Sequence, residues 1–175
     1  DRVATEIAGR SERLFAEVDF KPAGATFPFG AHVCVVEVDK ELGEVSIRRF
    51  VACDDAGVIV NPLLVDGQVH GGIAAGIGHA MWEEFAYDDY GNPITANFMD
   101  YGMPSAAEFF MFERIPMETP TPLNPIGAKG IGESGTIGST PAVQNAVVDA
   151  LSHLGVTHVD IPVTPERVWR AFNPE

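Results

Sequence analysis

Apolar positions follow two different periods along the chain, and the switches between them mark the elements. Residues 2–18 place Val3, Ile7, Leu14, Phe15 and Val18 near one helical stripe with charges between them, which predicts a short amphipathic helix. That stripe begins with no cap before it, so a preceding segment or a covering partner is expected. Residues 31–38 and 45–53 alternate instead. Val33 and Val35 interleave with His32 and Cys34, then Val45, Ile47 and Val51 with Ser46, Arg48 and Ala52. The polar stretch Asp39-Lys40-Glu41-Leu42-Gly43-Glu44 between them completes a hairpin signal.

Residues 62–85 carry an i, i+4 row of Val69, Ile73, Ile77 and Met81, which predicts a helix. Gly71, Gly72, Gly76 and Gly78 lie within it. Each glycine costs a helix about 1 kcal/mol against alanine, so this helix must survive by packing. Its glycines would admit a close backbone or a ligand. Residues 85–98 predict a second hairpin turning at Asp88–Pro93, and residues 108–115 a strand. Pro116, Pro120, Pro122 and Pro125 make residues 116–126 an ordered loop leading into a glycine-rich segment at 127–138.

Residues 140–154 predict a further helix capped by Ser139 or Thr140, with Pro141 in its first turn and Val143, Val147, Leu151 and Leu154 as its buried row. Gly155 ends it. Thr157–Ile161 predicts a short strand. Thr164-Pro165 opens a last helix that buries Val168 and Trp169. Hairpins mixed with helices, without strict βαβ alternation, favour an α+β fold of two layers, a mixed or mostly antiparallel sheet packed by helices. The chain shows no internal repeat.

Composition narrows the class. The 175 residues are 46% hydrophobic and 21% charged, which suits a globular chain and excludes a disordered or collagen-like one. No apolar run approaches the roughly 18 residues of a membrane span. No signal peptide opens the sequence, and a cytoplasmic setting is expected. Net charge is -14, which repels phosphate backbones and argues against nucleic-acid binding. Cys34 and Cys53 are too few for a disulfide framework and read as reduced thiols.

Two segments could carry chemistry. Gly127-Ala128-Lys129-Gly130-Ile131-Gly132-Glu133-Ser134-Gly135 contains G-x-G-x-x-G, but a proline-rich loop precedes it where a dinucleotide fingerprint needs a strand. Asp160 would serve as its ribose partner on that reading. No Gly-Lys-Ser/Thr makes it a Walker A loop. Glycines strip side chains from such a loop, so its backbone can touch a bulky anionic cofactor. Glu133 would then be the one long side chain in the site, a partly desolvated carboxylate with basicity raised toward neutral pH. A plain glycine-rich turn with a solvent-facing Glu133 is the alternative.

The second segment is Asp66-Gly67-Gln68-Val69-His70-Gly71-Gly72. Gln68 offers donor and acceptor to a ring with amide-like edges, or is an ordinary polar residue near a helix start. The five histidines lack metal-ligand spacing, so no metal held directly by side chains is expected. Ser134 and Ser139 lack a nucleophile elbow.

Taken together these segments resemble the molybdopterin-binding large subunit of the xanthine dehydrogenase and aldehyde oxidase family, within it the aerobic carbon monoxide dehydrogenase large-chain group. The resemblance rests on Phe50–Gly57, Val60-Asn61-Pro62, Gly67–Gly72 with Gly76-Ile77-Gly78, Asp100-Tyr101, Thr119–Pro125 and Gly127–Glu133, in order, over about residues 25–170. Residues 1–175 would be the C-terminal portion of a molybdopterin-binding domain, with that domain's α+β fold.

The resemblance implies Glu133 as catalytic base, Gln68 as a molybdopterin hydrogen-bonder, and backbone around Lys129, Gly130 and Gly132 against the cofactor. It implies oxidative hydroxylation or CO oxidation with water as oxygen source. The cofactor would be molybdenum-molybdopterin, in its cytosine dinucleotide form. The partners would be the remainder of the large subunit, an FAD subunit and an iron–sulfur subunit with [2Fe-2S] clusters, in a dimer of heterotrimers. The chain alone should not turn over. A non-catalytic binding or assembly module that kept the fold is the alternative function. Carbon monoxide, aldehydes and N-heterocycles all remain open as substrates.

Overall fold

The structure, a computed structural model, describes residues 17–174. The helix expected over residues 2–18 therefore lies, except for its last two positions, outside the described residues. Those two, Glu17 and Val18, are not helical.

Strands β1 (Phe29–Val38) and β2 (Val45–Asp55) form the expected hairpin. Its turn is built locally. The Asp39 carboxylate accepts from the Glu41 and Leu42 amides at 2.7 and 3.1 Å, and Gly43 takes the positive φ of 74° that closes it. One face of the hairpin, with Cys34, Val36, Phe50 and Ala52, packs into the core. The valines at 33 and 35 point to the other face and are exposed. Cys34 and Cys53 are free and, by the strand alternation, lie on opposite faces, so they cannot pair. Burial pushes the Cys34 thiol up to about 11, which leaves it inert as a nucleophile.

Helix α1 (Pro62–Met81) follows the expected row, with Val69, Ile73, Ile77 and Met81 all buried. Asn61 caps it through the Leu64 amide at 3.2 Å, and Pro62 occupies the first turn, where no donor is lost. Strand β3 (Glu113–Met117) is shifted from the expected 108–115 and pairs parallel to β2, giving a mixed sheet of order β1-β2-β3. The second hairpin, at 85–98, shrinks to one bridge between Tyr87 and Pro93, because the segment finds no further strand to extend it.

Helix α2 (Ser134–Leu151) begins well before the expected residue 140, and Pro141 sits inside it. Gly135 and Gly138 read locally as loop residues, yet they are the positions at which α2 approaches α1 and β1. A methyl on Gly135 would lie 2.6 Å from the Val69 carbonyl, and one on Gly138 2.5 Å from the His32 ring. Packing overrides propensity there. After Leu151 the chain tightens into one 3-10 turn, leaving Leu154 exposed, and Gly155 at φ 84° ends it as expected.

The expected strand at 157–161 is absent. That segment has no regular structure; Val159 within it and Val156 and Val163 on either side are buried, and the Val159 carbonyl accepts from the Gln144 side chain at 2.8 Å. Helix α3 (Pro165–Phe172), capped by Thr164, buries Val168 but leaves Trp169 43% exposed, against the expectation for that residue.

Sheet and helices form the two layers of an α+β fold, with Phe50, Ile73, Ile77, Val143, Val147, Leu151 and Val168 between them. Among the described residues no helix is long and apolar enough to cross a membrane.

Candidate functional site

Helices α1 and α2 run parallel, because their contacts advance together along both. Val69 and Gly72 meet Gly135, Thr136 Oγ1 donates to the Gly72 carbonyl at 3.0 Å, and Thr140 Oγ1 donates to the Gly76 carbonyl at 3.2 Å. Both N-terminal ends therefore face the same side of the molecule. Gln68 adjoins Val69, and Glu133 immediately precedes α2, so this packing brings both to that side.

Gln68 is exposed in the second turn of α1. Glu133 holds the N-cap position of α2 at φ -104° and ψ -9°, makes no capping hydrogen bond, and is exposed. The desolvation expected for its carboxylate is therefore not supplied by the described residues.

Gly130 and Gly132 are exposed, and a methyl on either would meet nothing within 4 Å. The same holds for Gly67 and Gly71 on α1. None of these four has a positive φ, so neither crowding nor strain within this chain demands glycine. The backbone amides of Gly130, Ile131, Gly132 and Glu133 find no backbone acceptor among the described residues. A bare surface with free donors, at the positive end of α2, suits an anionic ligand. No strand runs directly into this loop, since β3 ends at Met117, so the dinucleotide-fold context is missing.

The loop's beginning is tied down. The Lys129 amide donates to the Ala56 carbonyl at 2.8 Å, and Val58 donates to the Gly127 carbonyl at 3.0 Å. Gly127 takes φ 72° to make that turn. The Lys129 ammonium does not face the open side. It reaches inward to Asp55 Oδ1 at 3.3 Å and Thr119 Oγ1 at 2.8 Å, and lies 4.9 Å from the centre of the Phe29 ring. With its amide and ammonium both engaged, Lys129 can meet a ligand only through its carbonyl.

Two groups were not legible as functional before the fold was known. Asp54 and Asp55, at the end of β2, are both buried and point to opposite sides. Asp54 accepts from His32 Nε2 at 3.1 Å and from the Ser134 hydroxyl. Burial pushes its carboxyl up, but those two hydrogen bonds and the charges of His32 and Arg114 outweigh burial and hold it below the usual range. Asp55 accepts from the Gly57 amide at 2.6 Å, the Thr119 amide at 3.2 Å, the Thr119 hydroxyl and Lys129. Burial is likewise outweighed, first by the Thr119 hydroxyl, and its carboxyl is lowered. The signal in the sequence was an adjacent acidic pair at the end of β2, inside the Phe50–Gly57 motif.

Lowered folded-state values mean that both carboxylates stabilise the fold above the unfolded aspartate value of about 3.9 and lose that contribution as pH falls through the folded values. The urea midpoint should hold steady between neutral pH and about pH 5, then drop steeply below about pH 4. In Asp54→Asn the midpoint starts lower and the acid limb is shallower. An acid limb as steep as that of the unsubstituted protein would show that Asp54 is not a source of it.

Among the described residues no group of three or more His, Cys, Asp or Glu is placed to hold a metal ion.

A family model described as the molybdopterin cofactor-binding domain matches residues 3–110, a span that includes Gln68 and stops short of the Gly127–Glu133 loop. Over 165 residues the chain is 44% identical to the carbon monoxide dehydrogenase large chain of Hydrogenophaga pseudoflava, covering 94% of this chain and 20% of that one. It is 43% identical over 145 residues to the nicotine 6-hydroxylase large subunit of Paenarthrobacter nicotinovorans, covering 83% of this chain and 18% of that one. The crystal structure of a Cu,Mo-CO dehydrogenase in its carbon monoxide reduced state matches with a TM-score of 0.84 and 41% identity, covering 88% of this chain and 19% of that one. The chain thus spans about a fifth of the length of these relatives.

Proposed function

Because the chain belongs to the molybdopterin cofactor-binding domain family, we propose that residues 1–175 are the C-terminal portion of that domain in a molybdenum hydroxylase large subunit. The observation that carries this reading is the bare loop. Gly130 and Gly132 leave open space, and the four amides from Gly130 to Glu133 find no backbone acceptor among the described residues, at the N-terminal end of α2. These residues fit an anionic pterin cofactor, since their donors find no backbone acceptor among the described residues.

Gln68 hydrogen-bonds the pterin through its side-chain amide, donating and accepting at one edge. The amides of Gly130 and Gly132, with the Lys129 carbonyl, line the loop's face of the cofactor. When bound, molybdenum-molybdopterin supplies the two-electron oxidation, with water as the oxygen source. Glu133 takes up, at its carboxylate, the proton that the water-derived oxygen gives up, or orients the substrate. The covering that desolvates Glu133 comes from the substrate and from the remainder of the large subunit.

The full enzyme carries the cofactor in its cytosine dinucleotide form. It passes electrons to an iron–sulfur subunit with [2Fe-2S] clusters and to an FAD subunit, in a cytoplasmic dimer of heterotrimers. Substrate choice among carbon monoxide, aldehydes and N-heterocycles is set by segments outside this chain.

The test is the molybdenum and pterin content of the chain isolated with whatever copurifies. Near-stoichiometric molybdenum, with iron–sulfur and flavin subunits attached, is the expected result. An intact assembly without molybdenum overturns the reading and leaves a binding module on this fold.

A further inference from the structure

We propose that Asp54 and Asp55 form a two-point clamp that fixes both ends of the Gly130–Glu133 loop and thereby positions Glu133. Strand alternation sends consecutive side chains to opposite faces, so two adjacent aspartates at a strand end can reach two different segments. Asp55 holds the loop's entry through Lys129 and Thr119. Asp54 holds its exit through Ser134, the first residue of α2.

Between those anchors Ile131 is the loop's own attachment to the core. A methyl on either glycine would meet nothing within 4 Å, the loop's four amides find no backbone acceptor among the described residues, and the Glu133 side chain makes no cap. The Ile131 side chain packs against the core, and its carbonyl accepts from the Ser134 amide at 3.2 Å. Ile131 holds the middle of the loop, so the place of Glu133 beyond it depends on how the two ends are pinned. Helix α2 has no side-chain cap of its own, and the Asp54 carboxylate, bonded to its first residue, supplies the negative charge that a helix N-terminus favours.

The burial argues the same way. A buried carboxylate is costly unless its oxygens are saturated by donors. Asp54 and Asp55 are 1% and 0% exposed, and their donors come from both ends of the loop segment and from the segments that brace it. Both are positioning residues. They act through Lys129 and Ser134 and do not reach the open side themselves.

The proposal rests on the Glu133 reading for its kinetic consequence but not for its structural one, and the experiment separates the two. In the full enzyme, Ser134→Ala and Thr119→Val are each expected to lower kcat about 10- to 100-fold, as a small misplacement of a catalytic group does, with KM within about twofold and molybdenum content unchanged. Thr119→Ser, which keeps the hydroxyl, restores kcat. Independently of turnover, hydrogen exchange at the Ile137 amide, which donates to the Glu133 carbonyl at 3.0 Å, should be faster in Ser134→Ala.

Unchanged kcat and unchanged Ile137 exchange in Ser134→Ala, with unchanged kcat in Thr119→Val, overturn the clamp. If Glu133→Gln keeps normal turnover, the base assignment falls, while Ile137 exchange in Ser134→Ala still decides the clamp. These hydroxyl deletions leave both aspartates in place, so the test does not depend on whether Asp54→Asn folds.

Discussion

Glu133→Gln in the full enzyme is expected to lower turnover by about 10²- to 10⁴-fold, the range over which a positioned acid or base contributes. Molybdenum and pterin content should stay at the level of the unsubstituted enzyme. Glutamine keeps the length and shape of the side chain and removes its ability to take a proton. The substitution should be quiet for the fold, because Glu133 is exposed and caps nothing. A shift in stability beyond about 0.5 kcal/mol, the usual limit for exposed positions, would reveal a structural role that the geometry does not contain. Loss of turnover with cofactor retained assigns the base. Normal turnover removes Glu133 from the chemistry.

Gly135→Ala should destabilise the fold by about 1–3 kcal/mol, the usual cost of an added methyl in a packed interior, and more if the helices cannot part. Three backbone atoms would surround that methyl: the Val69 carbonyl oxygen at 2.6 Å, the Ile73 nitrogen at 2.8 Å and the Gly72 carbonyl carbon at 3.0 Å. None of them can rotate away as a side chain would. The gain in helix propensity, about 1 kcal/mol, acts in the opposite direction and is too small to offset forcing α1 and α2 apart.

Gly130→Ala is the matched contrast. Its methyl meets nothing within 4 Å, so the urea midpoint should be unchanged while molybdenum and pterin content falls. Equal destabilisation of the two variants would mean that the open face of the loop is not open in the folded protein. A Gly130→Ala enzyme with full cofactor content would remove that face from the pterin site.

These two glycines also show where sequence reading succeeds and where it stops. The hairpin of β1 and β2 was legible because its causes are local: alternation along each strand, and an Asp39–Gly43 turn that closes on itself within a few residues. Helix α1 was legible because four apolar residues at i, i+4 spacing outweigh the glycines between them, and all four are buried. Family membership was legible because many short motifs occur in order, and the match to residues 3–110 covers most of them. Gln68 and the Gly127–Glu133 loop were proposed from the same motifs.

What the sequence concealed depends on partners far along the chain. Locally, Gly135 and Gly138 argue against a helix and Pro141 suits a helix start rather than an interior, and the approach of Val69, Gly72 and His32 accompanies the early start of α2. Thr157–Ile161 has the composition of a strand but meets a helix side chain and core valines, with no strand edge to pair with. Strand β3 chose a parallel neighbour more than fifty residues away.

The Asp54 and Asp55 carboxylates bond partners 80 and 64 residues later, at Ser134 and Thr119, and no spacing rule links such positions. The sequence alone therefore determined the hairpin, the long helix and the family. The tertiary structure decided where α2 begins, which glycines separate helices and which stay bare, and how the loop bearing Glu133 is held. Local patterns record backbone preference and burial, whereas these last features exist only once distant segments are in contact.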